Sequence, residues 1–313
     1  MGAYDKNGTQ LTAIYDKNGN QLTLAYDKNG NEIFRGHAIS RNFTKSTMYQ
    51  LDMPTGTQGM ACDSITQSVA QLYSSYFYMI DLSDGSYKRM TGPITRGHNT
   101  AQFAPTKTEQ QTYPLLYVSG DKITDNEADY QLVPVFEVGD SSYQCVKVYA
   151  IPTITGYGMR RLCVDFENSV IWFVYATSYD ETSDCIHIES WSMNAVEEIT
   201  LASISTLNPS EGMWLTTNML SSFELPWVPE VQAITFFDGM ICLLSDRSSA
   251  ENKYVQFVDV VSQSVYMTIP LNEGGEWEGI SFLYNSETEQ YDMILSKRDT
   301  TPAEFYRYQF DLN

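Results

Sequence analysis

The chain has 313 residues, 42% hydrophobic and 13% aromatic, with 39 acidic side chains against 19 basic ones and a formal net charge of −20. An acidic excess of this size repels phosphate and anionic lipid, so nucleic acid and membrane surfaces are set aside as partners. Five scattered cysteines with no pairing pattern argue against a disulfide framework, and no apolar run is long enough for a helix to cross a bilayer.

Three near-copies of one phrase open the sequence: Tyr4-Asp5-Lys6-Asn7-Gly8, Tyr15-Asp16-Lys17-Asn18-Gly19 and Tyr26-Asp27-Lys28-Asn29-Gly30. In each, an Asp that initiates a turn precedes an Asn-Gly pair that tolerates positive φ, so each copy reads as a hairpin turn. The segments between them, Gln10-Leu11-Thr12-Ala13-Ile14-Tyr15, Gln21-Leu22-Thr23-Leu24-Ala25-Tyr26 and Glu32-Ile33-Phe34, are short and strand-favouring. Residues 1–36 therefore read as a small β-meander of 11-residue repeats, too poor in apolar residues to stand alone. It is expected to lean on the rest of the chain, on copies of itself in a homo-oligomer, or on a larger protein assembly. The polar repeats begin at Tyr4, so no secretory signal is expected ahead of them.

Residues 37–313 form the second part, expected to be a single all-β domain. Amphipathic helical periodicity is scarce; the best short stretch, 195–204, reads equally well as a strand. A looser repeat recurs five times, in which a polar or glycine-containing approach leads into one strand, a turn, and a strongly apolar second strand. The paired segments are 58–63 with 69–74, 98–103 with 115–119, 159–165 with 170–175, 230–235 with 240–245, and 278–282 with 291–296. Third strands are expected at 76–81, 186–191, 254–259 and 305–311, and fourth strands at 87–90, 198–204 and 265–269.

Four strands recurring every 40 to 60 residues is the pattern of propeller blades, and five units predict a five-bladed β-propeller. The last unit stops after its third strand, and residues 46–53 are expected to supply the missing outer strand and close the ring. The second unit is irregular: 121–129 reads as an insertion, and either 131–138 or 143–151 serves as its third strand. A two-sheet β-sandwich is the structural alternative.

Aligning the first strands places Gln58, His98, Glu230 and Glu278 at one step, with Met159 or Arg160 at the fifth, so these side chains would ring one mouth of the central channel. A His and two carboxylates there have the chemistry to hold a divalent cation or to act as acid and base on a sugar or lactone. Polar strand ends also serve simply to hydrate a channel. Trp227 and Trp277, with Trp214 and Tyr157, sit at loop ends where aromatic rings stack on sugars or anchor blades. No cofactor motif is present, and Cys62, Cys163 and Cys242 occupy positions where other units carry aliphatic residues, so they read as buried hydrophobes.

With these phrases in place, the body resembles the divergent β-propellers of gut-bacterial surface and prophage-encoded proteins, on Gln58-Gly59-Met60, His98-Asn99-Thr100-Ala101-Gln102-Phe103 and Trp277-Glu278-Gly279-Ile280 at blade starts. The Tyr-Asp-Lys-Asn-Gly repeats resemble those at the amino termini of phage tail-associated or virion-associated proteins. The resemblance implies a module that is docked through residues 1–36 and presents the propeller to a cell-surface glycan or protein at a virion or extracellular surface, and the absence of a recognisable catalytic signature favours recognition over catalysis. The sialidase and WD40 sequence boxes are absent, so no catalytic residue carries over. The alternatives are a propeller hydrolase or lyase acting through His98, Glu230 and Glu278, and a purely structural virion or surface component with no ligand.

Overall fold

The computed structural model describes residues 43–310 apart from 52–57, 74–75, 94–99, 126–127, 154–160, 177–184, 202–203, 205–206, 227–229, 247–252, 272–273 and 299–302; before residue 43 it describes four short strands. Those four pair as two antiparallel hairpins, Ile14–Tyr15 with Gln21–Leu22 and Leu24–Tyr26 with Glu32–Arg35. The Asp-Lys-Asn-Gly phrases themselves lie outside the described residues. No α-helix occurs among the described residues, and the 195–204 stretch contributes a strand, Val196–Ile199.

The remaining strands form a propeller-like ring of sheets. Four are four-stranded antiparallel blades. The first comprises Gly59–Asp63, Ser68–Leu72, Phe77–Asp81 and Tyr87–Arg89. The second comprises Arg161–Asp165, Val170–Ala176, Cys185–Ser192 and Met219–Pro226. The third comprises Val231–Phe237, Met240–Ser245, Tyr254–Asp259 and Ser264–Pro270. The fourth comprises Trp277–Asn285, Gln290–Lys297 and Ala303–Phe310, with Phe43–Leu51 as its outermost strand.

The expectation of five equal blades fails at the second sequence unit, so the ring has four regular blades. That unit builds a seven-stranded mixed sheet in which Ala101–Phe103, Leu116–Val118, Ala128–Val138 and Tyr143–Pro152 pair in turn. The two competing third strands are thus third and fourth. The expected insertion adds a strand, Lys122–Asp125, against Ala128–Val138. The outer edge does not end the sheet, because Met213–Thr216 joins Tyr143–Pro152 in parallel and carries Val196–Ile199 with it. Residues 198–204 therefore do not give the outer strand of the second blade; Met219–Pro226 does. The excursion 193–218 covers an edge that would otherwise expose unpaired backbone groups.

The first strands of the five sheets touch in cyclic order, first blade to mixed sheet to second, third and fourth blades and back to the first. A separate hydrophobic core fills each gap between neighbouring sheets. Leu72, Phe77 and Met90 pack on Leu116, Phe136 and Tyr143 in one gap, and Met60, Val69 and Ile80 meet Ile294 and Phe305 where the ring closes. The first strands are buried along most of their length. At about 1.5–3 kcal/mol for each fully buried large aliphatic or aromatic side chain, these seams are the main stabilising term.

One turn design recurs. In Asp63–Gln67, Asp165–Ser169, Asp259–Gln263 and Asn285–Glu289, a leading Asp or Asn accepts backbone N–H bonds from within the turn: Asp63 Oδ1 from Ile65 at 2.9 Å, Asp165 Oδ1 from Asn168 at 3.1 Å, Asp259 Oδ1 from Val261 at 2.8 Å and Asn285 Oδ1 from Glu287 at 3.0 Å. The fifth residue of each turn closes it in the left-handed region, with φ of 53°, 55°, 54° and 55°. These Asx turns explain the acidic residues that end so many strands in the sequence.

Candidate functional site

The two ends of the ring differ in chemistry because the first strands all run the same way. Their starts bring together charged groups. Glu278 is 2% exposed and accepts from Arg298 Nη1 at 3.1 Å, while the same guanidinium lies 3.6 Å from Glu276. Burial, reinforced by the neighbouring Glu276 carboxylate and opposed by Arg298, pushes the Glu278 carboxyl up to about 8. Gln232 Nε2 donates to Glu276 Oε1 at 3.4 Å, and Lys253 pairs with the fully buried Asp246 at 3.0 Å. Arg161, reaching across from the second blade, donates Nε to the carbonyls of Val231 and Gln232, both at 3.1 Å.

Of the residues expected at this mouth, Gln58, Glu230, Trp277 and Glu278 are described; His98, Arg160 and Trp227 lie outside the described residues. Gln58 is half-buried, and its N–H donates to Leu72 O at 2.9 Å. Glu230 is half-buried, and its carbonyl accepts from Asp246 N–H at 3.1 Å. Asp246 in turn accepts from Trp277 N–H, so one buried carboxylate ties the starts of the third and fourth blades together. Trp277 is fully buried: Tyr306 meets its ring at 5.1 Å, and the Lys297 ammonium sits over it at 4.8 Å. It packs the seam of the fourth blade and offers no open face to a sugar.

The opposite end, where the first strands finish, holds a cavity of about 440 Å³ to which all five sheets contribute. Its wall is largely aromatic, from Phe103, Phe166, Phe236, Phe237, Phe282 and Tyr291. Phe237 and Phe282 stack with centroids 4.0 Å apart and planes 11° apart, and Tyr291 leans on Phe237 at 5.0 Å. Polar groups are few: Gln102, Thr235 and Ser281 on the strands, with Asp63, Ser64 and Asp238 at the turns. Two lining residues at the rim are exposed apolar side chains, Ile65 at 47% and Tyr291 at 45%. A pocket of this size, apolar with a few convergent polar groups, has the make-up of a small-molecule or single-residue binding site.

Sequence alignment at the strand starts missed this cavity. Its signal was nonetheless present: Phe103, Phe166 and Phe237 recur at or just past the ends of successive first strands, and Phe282 lies in the second half of the fourth blade's first strand. The five cysteines form no disulfide. Cys62, Cys163 and Cys242 are buried, and desolvation raises their thiol pKa values, to about 12 for Cys62. They pack as small hydrophobes.

No protein-family model matches the chain, and no curated protein matches it. Among solved structures, a luciferin-regenerating enzyme is 8% identical, with 86% of this chain and 95% of that one covered at a TM-score of 0.45. A putative oxidoreductase (glucose dehydrogenase) from Thermus thermophilus is 8% identical, covering 85% and 100% at 0.46. The tail fibre of Staphylococcus aureus phage P68 is 11% identical, covering 86% of this chain and 53% of the fibre at 0.45. Likenesses at this level transfer neither an activity nor a ligand.

Proposed function

We propose that the protein is a non-enzymatic recognition module whose ring captures a sugar unit of a bacterial cell-surface glycan in the aromatic cavity at the finishing ends of its first strands. The supporting observation is that cavity: about 440 Å³, bounded by the Phe237–Phe282 stack and Tyr291, and rimmed by exposed Ile65. Aromatic faces pack against the apolar faces of pyranose rings, while Gln102, Thr235 and Asp238 supply the few directional groups that a hydroxylated ligand needs. In the same reading, residues 1–36 dock the ring on a larger assembly such as a phage tail, a part that rests on the repeated Tyr-Asp-Lys-Asn-Gly phrase. The mixed sheet keeps its place in the cyclic order of first strands despite its added strands, so we take it to fill the position of a fifth blade.

The test is a glycan array of bacterial surface polysaccharides, probed with the full-length protein and with Tyr291→Ala. Tyr291 is exposed enough for its loss to leave the fold intact. Binding by the parent that is lost in the variant supports the reading. Binding that is unchanged in Tyr291→Ala moves the ligand elsewhere on the ring.

One observation favours a second reading, a hydrolase or lyase at the other mouth. A carboxyl with a pKa of about 8 is protonated at neutral pH and so can serve as a general acid, and Glu278 is such a group. Glu278→Gln would then abolish release of sugar from a bound polysaccharide while binding persists.

A further inference from the structure

At the outer edge of the second blade, towards the end where its first strand starts, Cys185, His187 and Glu224 converge. The strand Cys185–Ser192 pairs antiparallel with Met219–Pro226, in register His187 to Glu224 and Cys185 to Pro226. Cys185 and His187, two residues apart on one strand, share a face, and Glu224 stands directly across from His187 on the same face. One donor atom from each of the three lies within 4.8 Å of the other two. Cys185 and His187 are half-buried, and the Glu224 side chain is 61% exposed, so the cluster is open to solvent.

We propose that this cluster binds a thiophilic divalent transition metal, with Cys185 Sγ and His187 Nε2 as ligands and Glu224 as the carboxylate that orients the imidazole. The separation of the two donors is the main argument. Sγ and Nε2 are 3.7 Å apart. A tetrahedral zinc with Zn–S of about 2.3 Å and Zn–N of about 2.0–2.1 Å places its sulfur and nitrogen about 3.6 Å apart. The metal therefore fits between them with almost no movement of the strand that carries both.

The tautomer is set for ligation as well. His187 Nδ1 is 3.1 Å from Glu224 Oε1. A proton on Nδ1 is held by the carboxylate, which directs the Nε2 lone pair toward the cysteine, the arrangement that metal-binding histidines use. The plane of the imidazole is fixed by Tyr175, whose ring stacks on it at 5.2 Å and 17°. Tyr175 is itself anchored by its hydroxyl, which donates to the buried Glu189. Soft thiolate and imidazole donors select zinc and its neighbours over calcium or magnesium, which prefer oxygen. On binding, the Cys185 S–H bond breaks, its proton goes to solvent and a metal–thiolate bond forms, with no change of oxidation state. Water or a group of a bound partner fills the remaining positions.

Cobalt(II) titration of the full-length, reduced protein tests this. A thiolate-to-cobalt charge-transfer band saturating at one metal per chain, and displaced by zinc, is expected. Cys185→Ser should remove the band, and Glu224→Gln should weaken affinity by about 10- to 100-fold while leaving the band's position unchanged. A wild-type protein that shows no saturable band overturns the proposal without reference to any variant, as does a band that survives in Cys185→Ser. Zinc binding followed by calorimetry gives an independent reading: release of close to one proton per metal in a weakly buffered solution supports a thiolate ligand, and binding with no proton release refutes it.

Discussion

The side-chain amide of Gln102 grips the backbone of Val164 at both ends: Nε2 donates to Val164 O at 2.9 Å, and Oε1 accepts from Val164 N–H at 3.0 Å. The same oxygen lies 3.4 Å from Phe236 N–H. One side chain of the mixed sheet thus acts as a rung to the first strand of the second blade and reaches the third. It binds three sheets that share no strand pairing among themselves, beneath the aromatic cavity. Gln102→Met keeps the length and removes both polar atoms, leaving Val164 N–H and C=O without this partner. The expected cost is about 1–3 kcal/mol in a denaturant melt. A change within about 0.5 kcal/mol, the range of an indifferent surface substitution, would show that water replaces the grip.

Glu278 gives the ring a pH dependence of definite sign. Its carboxyl is raised from 4.5 to about 8 in the folded state, chiefly by burial, so between those values the native protein holds a proton that the unfolded chain has released. Stability must then fall as pH rises through that window, being fully present below about 4.5 and lost as pH climbs through about 8. Glu278→Gln removes the titration. Thermal melts across the window should show the parent losing stability with rising pH and the variant holding level at this site, so that the two curves separate most above about 8. Curves that stay parallel would mean that Arg298 keeps the carboxylate ionised throughout.

The strand pairs of the ring were legible because each carries its own local signal. Val170-Ile171-Trp172-Phe173-Val174 and Met240-Ile241-Cys242-Leu243-Leu244 are continuous apolar runs bounded by turns, as doubly buried strands must be. The mixed sheet was not legible, because its defining contact is the parallel pairing of Val148 with Met213 and Ala150 with Leu215, and no local pattern encodes a partner so far along the chain. The site followed the same division. Polar residues at strand starts mark Glu230 and Glu278, whereas the cavity is made by phenylalanines in the later halves of the first strands and just past them, where the same residue type serves ligand wall and core alike. Likewise, Cys185-Ile186-His187 carries no signal until the strand register sets Glu224 beside it.

Gly279 marks the tightest point of the seam that closes the ring. A Cβ at this position would press on Ser296 Oγ and lie 2.6 Å from Met60 Cγ, a side chain of the first blade. The absence of a side chain is what lets the first strand of the fourth blade approach its neighbour. Gly279→Ala should therefore cost about 1–3 kcal/mol through overpacking. Shortening the neighbour in the double variant Gly279→Ala with Met60→Ala should recover part of that loss, giving a non-additive cycle. Additive losses would place the strain in Ser296 or in the backbone instead.

Ser169 closes the first hairpin of the second blade with φ of 55°, in the left-handed region that costs a residue with a Cβ about 1–2 kcal/mol. Asp165 offsets that cost at the other end of the turn, its carboxylate accepting from Asn168 N–H at 3.1 Å and from Asn168 Nδ2 at 2.8 Å. The two residues should respond in opposite directions. Ser169→Gly relieves the backbone strain and is expected to stabilise by up to about 1 kcal/mol, the unfolded-state entropy of glycine taking back part of the gain. Asp165→Ala removes both bonds from a turn beside the cavity and is expected to destabilise by about 1–2 kcal/mol. Because the turn also carries Phe166 into the cavity wall, Asp165→Ala should loosen the glycan binding proposed for this cavity while Ser169→Gly leaves it unchanged. Equal binding by the two variants would separate the turn from the site.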